Sequence, residues 1–125
     1  MTGRPVALSE GEEDAHVEPF SRWEPLAARR RLEKGEDLRL IDIRERWEWD
    51  LARIEGADLR PLSEIRWWEH RFAAEKGPFV LFCHHGIRSA YACAYLARVG
   101  VRNLVNLEGG IDRWAREVDP TVALY

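Results

Sequence analysis

Residues 80–93 read VLFCHHGIRSAYAC, and this stretch predicts a buried strand, a tight loop and a helix in direct succession. The apolar run that begins at Phe79 ends at Cys83, polar and turn-forming residues follow, and an alanine-rich helical pattern then continues to Gly100. Cys83 therefore stands at the carboxyl end of a predicted strand, immediately before the N-terminus of a predicted helix.

Strands and helices alternate at short spacing on both sides of this stretch. Strands are predicted over 38–43, 57–60, 79–83 and 103–107, and helices over 44–51, 64–76, 89–99 and 111–117. A capping box between Ser21 and Glu24 predicts one more helix, which Gly35 ends, and Ser63 is predicted to cap the helix over 64–76. The alternation predicts an α/β fold with a parallel sheet and helices on both faces. Sites in such sheets lie beyond the carboxyl ends of the strands, where Cys83 is expected.

Length and charge narrow the class of protein. The 125 residues suit one domain, which we place at 16–125 after a flexible acidic N-terminal tail over 1–15. Net charge is −3 and is concentrated in residues 1–18, so the remainder is nearly neutral and predicts no nucleic-acid partner. The chain has no apolar stretch of about 20 residues and no signal-peptide pattern, which predicts a soluble cytoplasmic protein without a membrane partner.

The loop after Cys83 has the features of an anion cradle. A helix N-terminus points its unpaired N–H groups at the loop, Gly86 permits a tight curl, and Arg88 adds a permanent positive charge. Each feature favours a thiolate over a thiol, so Cys83 is predicted to be a nucleophile. His84 and His85 are expected at the mouth of the pocket, where they either add donors or are simply solvated.

Three other interpretations concern the cysteines. Cys83 is also consistent with a small apolar residue that ends a strand, but the glycine and arginine of its loop favour a role as a nucleophile. A metal site built from Cys83, His84 and His85 is disfavoured because adjacent residues rarely converge on one ion, so no metal is predicted. Cys93 lies in the alanine-rich helical run and is predicted to be a core residue, about 15 Å from Cys83 along the helix. Two cysteines are too few for a disulfide scaffold, and both are expected to stay reduced.

Four motifs in order resemble the rhodanese family of sulfurtransferases, from about Val17 onward. They are Leu40-Ile41-Asp42-Ile43-Arg44 with Glu48, Ile54-Glu55-Gly56-Ala57 before Pro61-Leu62, Cys83-His84-His85-Gly86-Ile87-Arg88-Ser89, and Asn106-Leu107-Glu108-Gly109-Gly110-Ile111 with Trp114. One departure is Ala52-Arg53-Ile54, where the family often has Gly-His-Ile. The end of the chain, from Ile111 to Tyr125, also resembles rhodanese domains fused to sulfur-carrier adenylating enzymes.

The resemblance implies a rhodanese-like α/β fold of about five parallel strands, in which the strand ending at Cys83 lies between those ending at Asp42 and Leu107. It implies that the neighbouring strand ends line the pocket, with Asp42, Arg44 and Trp47 on one side and Glu108 and Gly109 on the other. Asp42 and Arg44 are expected to form a structural ion pair, and Ser89 is a further supporting residue. Trp67 and Trp68 diverge on one helix, so one of them is expected to be buried.

The implied activity is sulfur transfer through a Cys83 persulfide. A small anion such as thiosulfate donates the sulfur, and the loop residues His84, His85, Gly86, Ile87 and Arg88 bind it; a thiophilic acceptor removes it, and no cofactor takes part. A persulfide relay that acts only with a sulfur-carrier or persulfide-donor protein, in cofactor synthesis or tRNA thiolation, is the main alternative. A cysteine phosphatase or arsenate reductase is disfavoured because the loop from Cys83 to Arg88 has six residues, one fewer than dual-specificity phosphatases use.

Overall fold

The computed structural model describes residues 18–125, which form one parallel sheet flanked by helices. The predicted tail over 1–15 lies outside the described residues. In chain order the elements are β1 (Ser21–Trp23), α1 (Pro25–Glu33), β2 (Arg39–Asp42), α2 (Arg46–Leu51), β3 (Asp58–Leu59), α3 (Ile65–Trp68), β4 (Phe79–Phe82), α4 (Ile87–Arg98), β5 (Leu104–Leu107) and α5 (Gly110–Glu117). Short 3₁₀ turns, Leu62–Glu64 and Glu69–Ala74, flank α3. Between residues 18 and 125 no helix combines the length and the apolar character that crossing a membrane requires.

The five strands lie in the order β1-β5-β4-β2-β3, and every neighbouring pair is parallel. The central strand β4 pairs with β2 on one side and β5 on the other, with Val80 opposite Leu40 and Val105. Both the fold class and the predicted place of the Cys83 strand between its two neighbours are therefore confirmed. Because all strands run the same way, the residues that follow β2, β4 and β5 meet at one edge of the sheet.

Two apolar clusters, one on each face, hold the helices to the sheet. Val80, Phe82 and Leu107 belong to the cluster that includes Ala28 of α1 and Trp114 of α5. On the other face, residues of the central strands pack against α3 and α4. This cluster contains Ile41, Leu81, Trp68, Phe72, Cys93 and Leu96. Helices on both faces are thus confirmed, with four consecutive buried residues in β4 as expected for a strand covered on both sides.

Two predicted helix starts are wrong. Ser21 does not cap a helix, because Ser21–Trp23 pairs with β5 as an edge strand, and α1 begins only at Pro25. Ser63 caps nothing either, since it lies in a 3₁₀ turn and its hydroxyl donates to Glu45 Oε1 at 2.7 Å. The helix predicted over 64–76 is only one α-helical turn between 3₁₀ turns.

The tryptophan pair on α3 diverges as predicted. Trp68 is buried and its indole N–H donates to the carbonyl of Pro61 at 2.7 Å, whereas Trp67 is 79% exposed. Phe72 packs edge-on against both Trp68 and Phe79, with ring centroids 6.0 and 4.8 Å away. Through these ring contacts, α3 and the 3₁₀ turn that follows it pack against β4 of the sheet.

Candidate active site

Cys83 follows β4 directly and is 1% exposed at the floor of the loop that leads into α4. Its Sγ accepts hydrogen bonds from the backbone N–H of Gly86, at 3.1 Å, and from the backbone N–H of Ser89, at 3.3 Å. Hydrogen bonds from N–H donors favour the charged form of an acceptor, and both donors lie at the N-terminus of α4. The arrangement suits a sulfur atom that carries negative charge.

Ser89 is closer to the sulfur than its place among the supporting residues implied. Its hydroxyl lies 3.4 Å from Cys83 Sγ but only 2.5 Å from Asn106 Oδ1, so the single hydroxyl proton goes to Asn106. The Asn106 amide also donates to the carbonyl of Gly86 at 3.2 Å and to Glu108 at 2.8 Å. Asn106 therefore fixes both residues whose N–H groups reach the sulfur.

Two glycines shape the loop. Gly86 has φ +95°, which L side chains rarely adopt, and it turns the chain so that its N–H faces Cys83. Gly110, at φ +62°, lets the start of α5 lie directly on the peptide between Cys83 and His84. There the N–H of Ile111 donates to Cys83 O at 2.9 Å and the N–H of Asp112 donates to His84 O at 3.0 Å. The first turn of α5 thereby holds the beginning of the loop.

Arg88 is turned toward α2 and forms a bidentate ion pair with Glu48. Its two terminal nitrogens each lie 2.8 Å from one carboxylate oxygen, and Glu48 is buried whereas Arg88 is partly exposed. Burial alone would raise the pKa of Glu48, but hydrogen bonds from Arg88, the Glu45 N–H and Tyr125 outweigh it and lower the pKa to about 2. Hydrogen bonding to Glu48 raises the pKa of Arg88. This ion pair connects the loop that follows Cys83 to α2.

Asp42 and Arg44 form a fully buried ion pair, with Arg44 Nη2 2.7 Å from Asp42 Oδ2. Arg44 also donates to the carbonyl oxygens of Glu48, within α2, and of Ala52, just after its end, so it ties the C-terminal half of α2 to β2. Neither side chain is exposed, so the expectation that Asp42 and Arg44 line the pocket is wrong. The two residues lie behind it and support the backbone of α2. Trp47, which was expected on the same side of the pocket, is exposed on the surface of α2.

The two histidines have different surroundings. His85 is exposed, while His84 is half-buried between two stacked rings, those of His85 and Tyr125, each with its centroid 3.9 Å away. Burial, followed by repulsion from His85, lowers the pKa of His84. One donor atom each from His84, His85 and Asp112 lies within 4.8 Å of the others. Asp112 already pairs with Arg116 at 3.0 Å, which leaves two histidines, fewer than the three or four protein ligands of a zinc site, so this cluster fits a metal poorly.

A groove of about 570 Å³ opens beside the loop. Its walls include His85, Gly86 and Ile87, together with Glu108 and Gly109, which the family resemblance had placed in the pocket. A larger cavity of about 670 Å³ lies next to Phe79 and Asn103, at the opposite edge of the sheet. The smaller groove is the candidate site because its wall includes Gly86, one of the two residues whose N–H groups donate to Cys83 Sγ.

Several residues of the site were not among the predicted ones. Asn106, Glu48 and Gly110 appeared in the motifs without a role, and Tyr125 only as the last residue of the sequence. A polar residue in a strand that is otherwise apolar, as in Leu104-Val105-Asn106-Leu107, is the one local signal that could have identified Asn106. Cys93 lies in the apolar core as predicted, and burial raises its pKa to about 12.

Comparison with known proteins gives consistent matches. The model of the rhodanese-like domain matches residues 24–117. The probable adenylyltransferase/sulfurtransferase MoeZ of Mycobacterium tuberculosis is 39% identical over 95 residues, which are 75% of this chain and 24% of MoeZ. A sulfurtransferase of Allochromatium vinosum is 38% identical over 93 residues, covering 74% of this chain and 86% of that protein. The crystal structure of a rhodanese-related protein of Thermoplasma volcanium superposes with a TM-score of 0.67 at 27% identity, over 84% of this chain and 99% of that one.

The lengths of these relatives differ widely. The chain spans only 24–38% of several curated relatives, MoeZ among them, but most of the Allochromatium protein. The matched part in each case is therefore a domain that occurs both alone and within longer proteins.

Proposed function

The chain belongs to the rhodanese-like domain family of sulfurtransferases, and from this membership we propose that it transfers sulfane sulfur through a persulfide on Cys83. The observation that carries the proposal is the pair of backbone N–H groups, of Gly86 and Ser89, that donate to Cys83 Sγ. These donors are fixed by the fold, so they favour a negative charge on the sulfur before any substrate arrives. No general base is needed, because a thiolate is itself the nucleophile.

The proposed reaction with thiosulfate has two steps. In the first, the Cys83 thiolate attacks the outer sulfur of thiosulfate, a bond forms between the two sulfur atoms, and the S–S bond of thiosulfate breaks. Sulfite leaves with the electron pair, and the negative charge moves to the outer sulfur of the new persulfide. In the second, a thiophilic acceptor attacks that outer sulfur, and the thiolate is regenerated. Cyanide as the acceptor leaves as thiocyanate.

The loop residues have distinct proposed tasks. The N–H groups between His84 and Arg88 face the persulfide, Gly86 gives the curl, and Ile87 and His85 form the rim of the groove. Arg88 positions the loop through Glu48. Because the Glu48 carboxylate engages both terminal nitrogens of Arg88, binding of the sulfur-donor anion is only a secondary task of Arg88. Asp42, Arg44 and Ser89 support this arrangement. A cytoplasmic location and the lack of a metal or organic cofactor stay predictions.

A relay that accepts or delivers sulfur only with a partner protein is the second candidate. Ile87 and Tyr91 lie one turn apart on α4, are 67% and 74% exposed, and line the groove beside Cys83. Exposed apolar residues next to a buried thiol suit a protein partner better than a small anion. The name of MoeZ joins adenylyl transfer to sulfur transfer, which makes a sulfur-carrier protein a reasonable partner for this chain as well.

The experiment that tests the proposal is an intact mass after incubation with thiosulfate. The wild type and the matched control Cys93→Ala are expected to gain about 32 Da, the mass of one sulfur atom, and to lose it to cyanide, whereas Cys83→Ser gains nothing. The control isolates Cys83 because the high pKa of Cys93 keeps that residue a thiol.

Other results decide between the candidates. Loading from a persulfidated donor protein, but not from thiosulfate, would favour the relay. Loading of Cys83→Ser, or no loading from either donor, would contradict sulfur transfer through Cys83. Hydrolysis of a phosphate ester by the wild type would instead indicate the phosphatase alternative, which the six-residue loop disfavours.

A further inference from the structure

The segment that follows α5 returns to the active-site edge of the sheet. A turn at Asp119, whose carbonyl accepts from the N–H of Val122 at 3.1 Å, redirects the chain, and Val122 is buried in the core. From this anchor the chain reaches His84, where the Tyr125 ring lies. This segment lies beyond residue 117, at which the match to the family model ends.

The ring of Tyr125 contacts the side chain of His84 and determines its orientation. The two rings are stacked almost parallel, with centroids 3.9 Å apart and planes at 5°, and His85 stacks at the same centroid distance. Two rings that close to a third must cover its opposite faces, so His84 is sandwiched between them. Its Nε2 is buried without a hydrogen-bond partner, and no bond from this atom holds the ring in place. The backbone of His84 is held by the N–H of Asp112, so the stack determines the orientation of the His84 side chain.

The hydroxyl of Tyr125 joins two ion pairs. It donates to Glu48 Oε2 at 2.7 Å and accepts from Arg44 Nη1 at 2.9 Å. Through Glu48 it connects to Arg88 on α4, and through Arg44 to the buried Asp42. Burial raises the pKa of Tyr125 to about 12, so the hydroxyl keeps its proton and remains a donor at neutral pH.

We propose that Tyr125 is a positioning residue for the Cys83 loop. Its ring holds the side chain of His84, and its hydroxyl orients Glu48, which pairs with Arg88, so contacts of Tyr125 reach the loop on both sides of Gly86. The N–H of Gly86 is one of the two that donate to Cys83 Sγ. The catalytic consequence rests on the proposed sulfur transfer, while the effect on the loop itself does not.

Three variants separate the roles of the ring and the hydroxyl. Tyr125→Phe keeps the stack on His84 and removes the hydroxyl, Tyr125→Leu removes both, and Leu124→Ala alters the exposed neighbouring residue as a matched control. Amide hydrogen exchange is followed at Gly86 and Ser89, whose N–H groups face the sulfur, and at central-strand residues as an internal reference. The rate of sulfur loading from thiosulfate is measured on the same samples.

Tyr125→Leu is expected to exchange about tenfold faster at Gly86 and Ser89 with no change in the central strands, because local opening is affected and global unfolding is not. Its loading rate should fall about tenfold, since small displacements of positioned groups are costly. Tyr125→Phe should show smaller changes in both, and Leu124→Ala none. The NMR signals of the His84 ring protons should move downfield in Tyr125→Leu, as the shielding face of Tyr125 is lost.

Unchanged amide exchange at Gly86 and Ser89 in Tyr125→Leu would overturn the inference. Exchange that accelerates equally in the central strands would also overturn it, because that result indicates a general loss of stability. If the wild type takes up no sulfur from any donor, the proposed function fails, but the exchange and NMR comparisons still decide the role of Tyr125. Normal loading by the wild type together with unchanged loading and exchange in Tyr125→Leu would contradict the positioning role alone.

Discussion

Replacing Gly110 by alanine should destabilise the protein and displace the Cys83 loop. A methyl group at Gly110 would overlap the carbonyl oxygen of Cys83 and would lie 2.5 Å from that of His84. Both oxygens belong to the backbone and already accept hydrogen bonds from the first N–H groups of α5. They cannot retreat unless these bonds lengthen, so no side-chain movement relieves the overlap.

Two costs add up in Gly110→Ala. A non-glycine residue in the left-handed region costs about 1–2 kcal/mol, which applies here because φ is +62°. Overpacking against rigid atoms costs about 1–3 kcal/mol more. We therefore expect the free energy of unfolding to fall by about 3 kcal/mol, measured by urea denaturation followed through tryptophan fluorescence.

Gly35→Ala is the matched control, because Gly35 has φ +82° but no heavy atom within 4 Å of the added methyl group. It should lose only the conformational part, about 1–2 kcal/mol, and should load sulfur at the wild-type rate. Gly110→Ala should load sulfur more slowly even at temperatures where it is fully folded. Equal destabilisation of the two variants, or wild-type loading by Gly110→Ala, would refute the argument that Gly110 allows α5 to hold the loop.

Two further predictions concern stability. Because the pKa of Glu48 is lowered from its ordinary value of 4.5 to about 2, its ionised carboxylate contributes stability above pH 4.5 that is lost as the pH falls towards 2. Glu48→Gln should therefore flatten the dependence of the unfolding free energy on pH between 4.5 and 2, and an unchanged slope in acid titrations would contradict this. Trp68→Ala should lower the free energy of unfolding by about 3–5 kcal/mol because Trp68 is buried, whereas Trp67→Ala should change it by no more than about 0.5 kcal/mol. Similar urea midpoints for the two variants would contradict the assignment of Trp68 to the buried face and of Trp67 to the exposed one.

Much of the fold was predictable because its signals are local. The apolar run before Cys83 marks a strand buried on both faces, and glycine at position 86 marks a tight turn before a helix. Each of these patterns depends on residues that are neighbours in the chain. The parallel order of the central strands then followed from the alternation of elements and from the family resemblance, and the structure confirms it.

Local patterns failed where a distant partner decides the conformation. The Ser21 to Glu24 spacing fits a capping box, yet Ser21 lies in an edge strand because it pairs with Val105, far along the chain. Ser63 likewise bonds Glu45 across the surface instead of capping a helix. Pairing with a distant strand or carboxylate outweighs a capping preference worth about 1 kcal/mol.

The sequence by itself thus determined an α/β sheet with a cysteine at the carboxyl end of its central strand, since periodicity and turn residues encode both. Only the tertiary structure decided how that cysteine is surrounded. Glu48 meets Arg88 from 40 residues away and Tyr125 meets His84 from the end of the described chain. Contacts of this kind depend on how strands and helices are ordered in space, which no short-range pattern records.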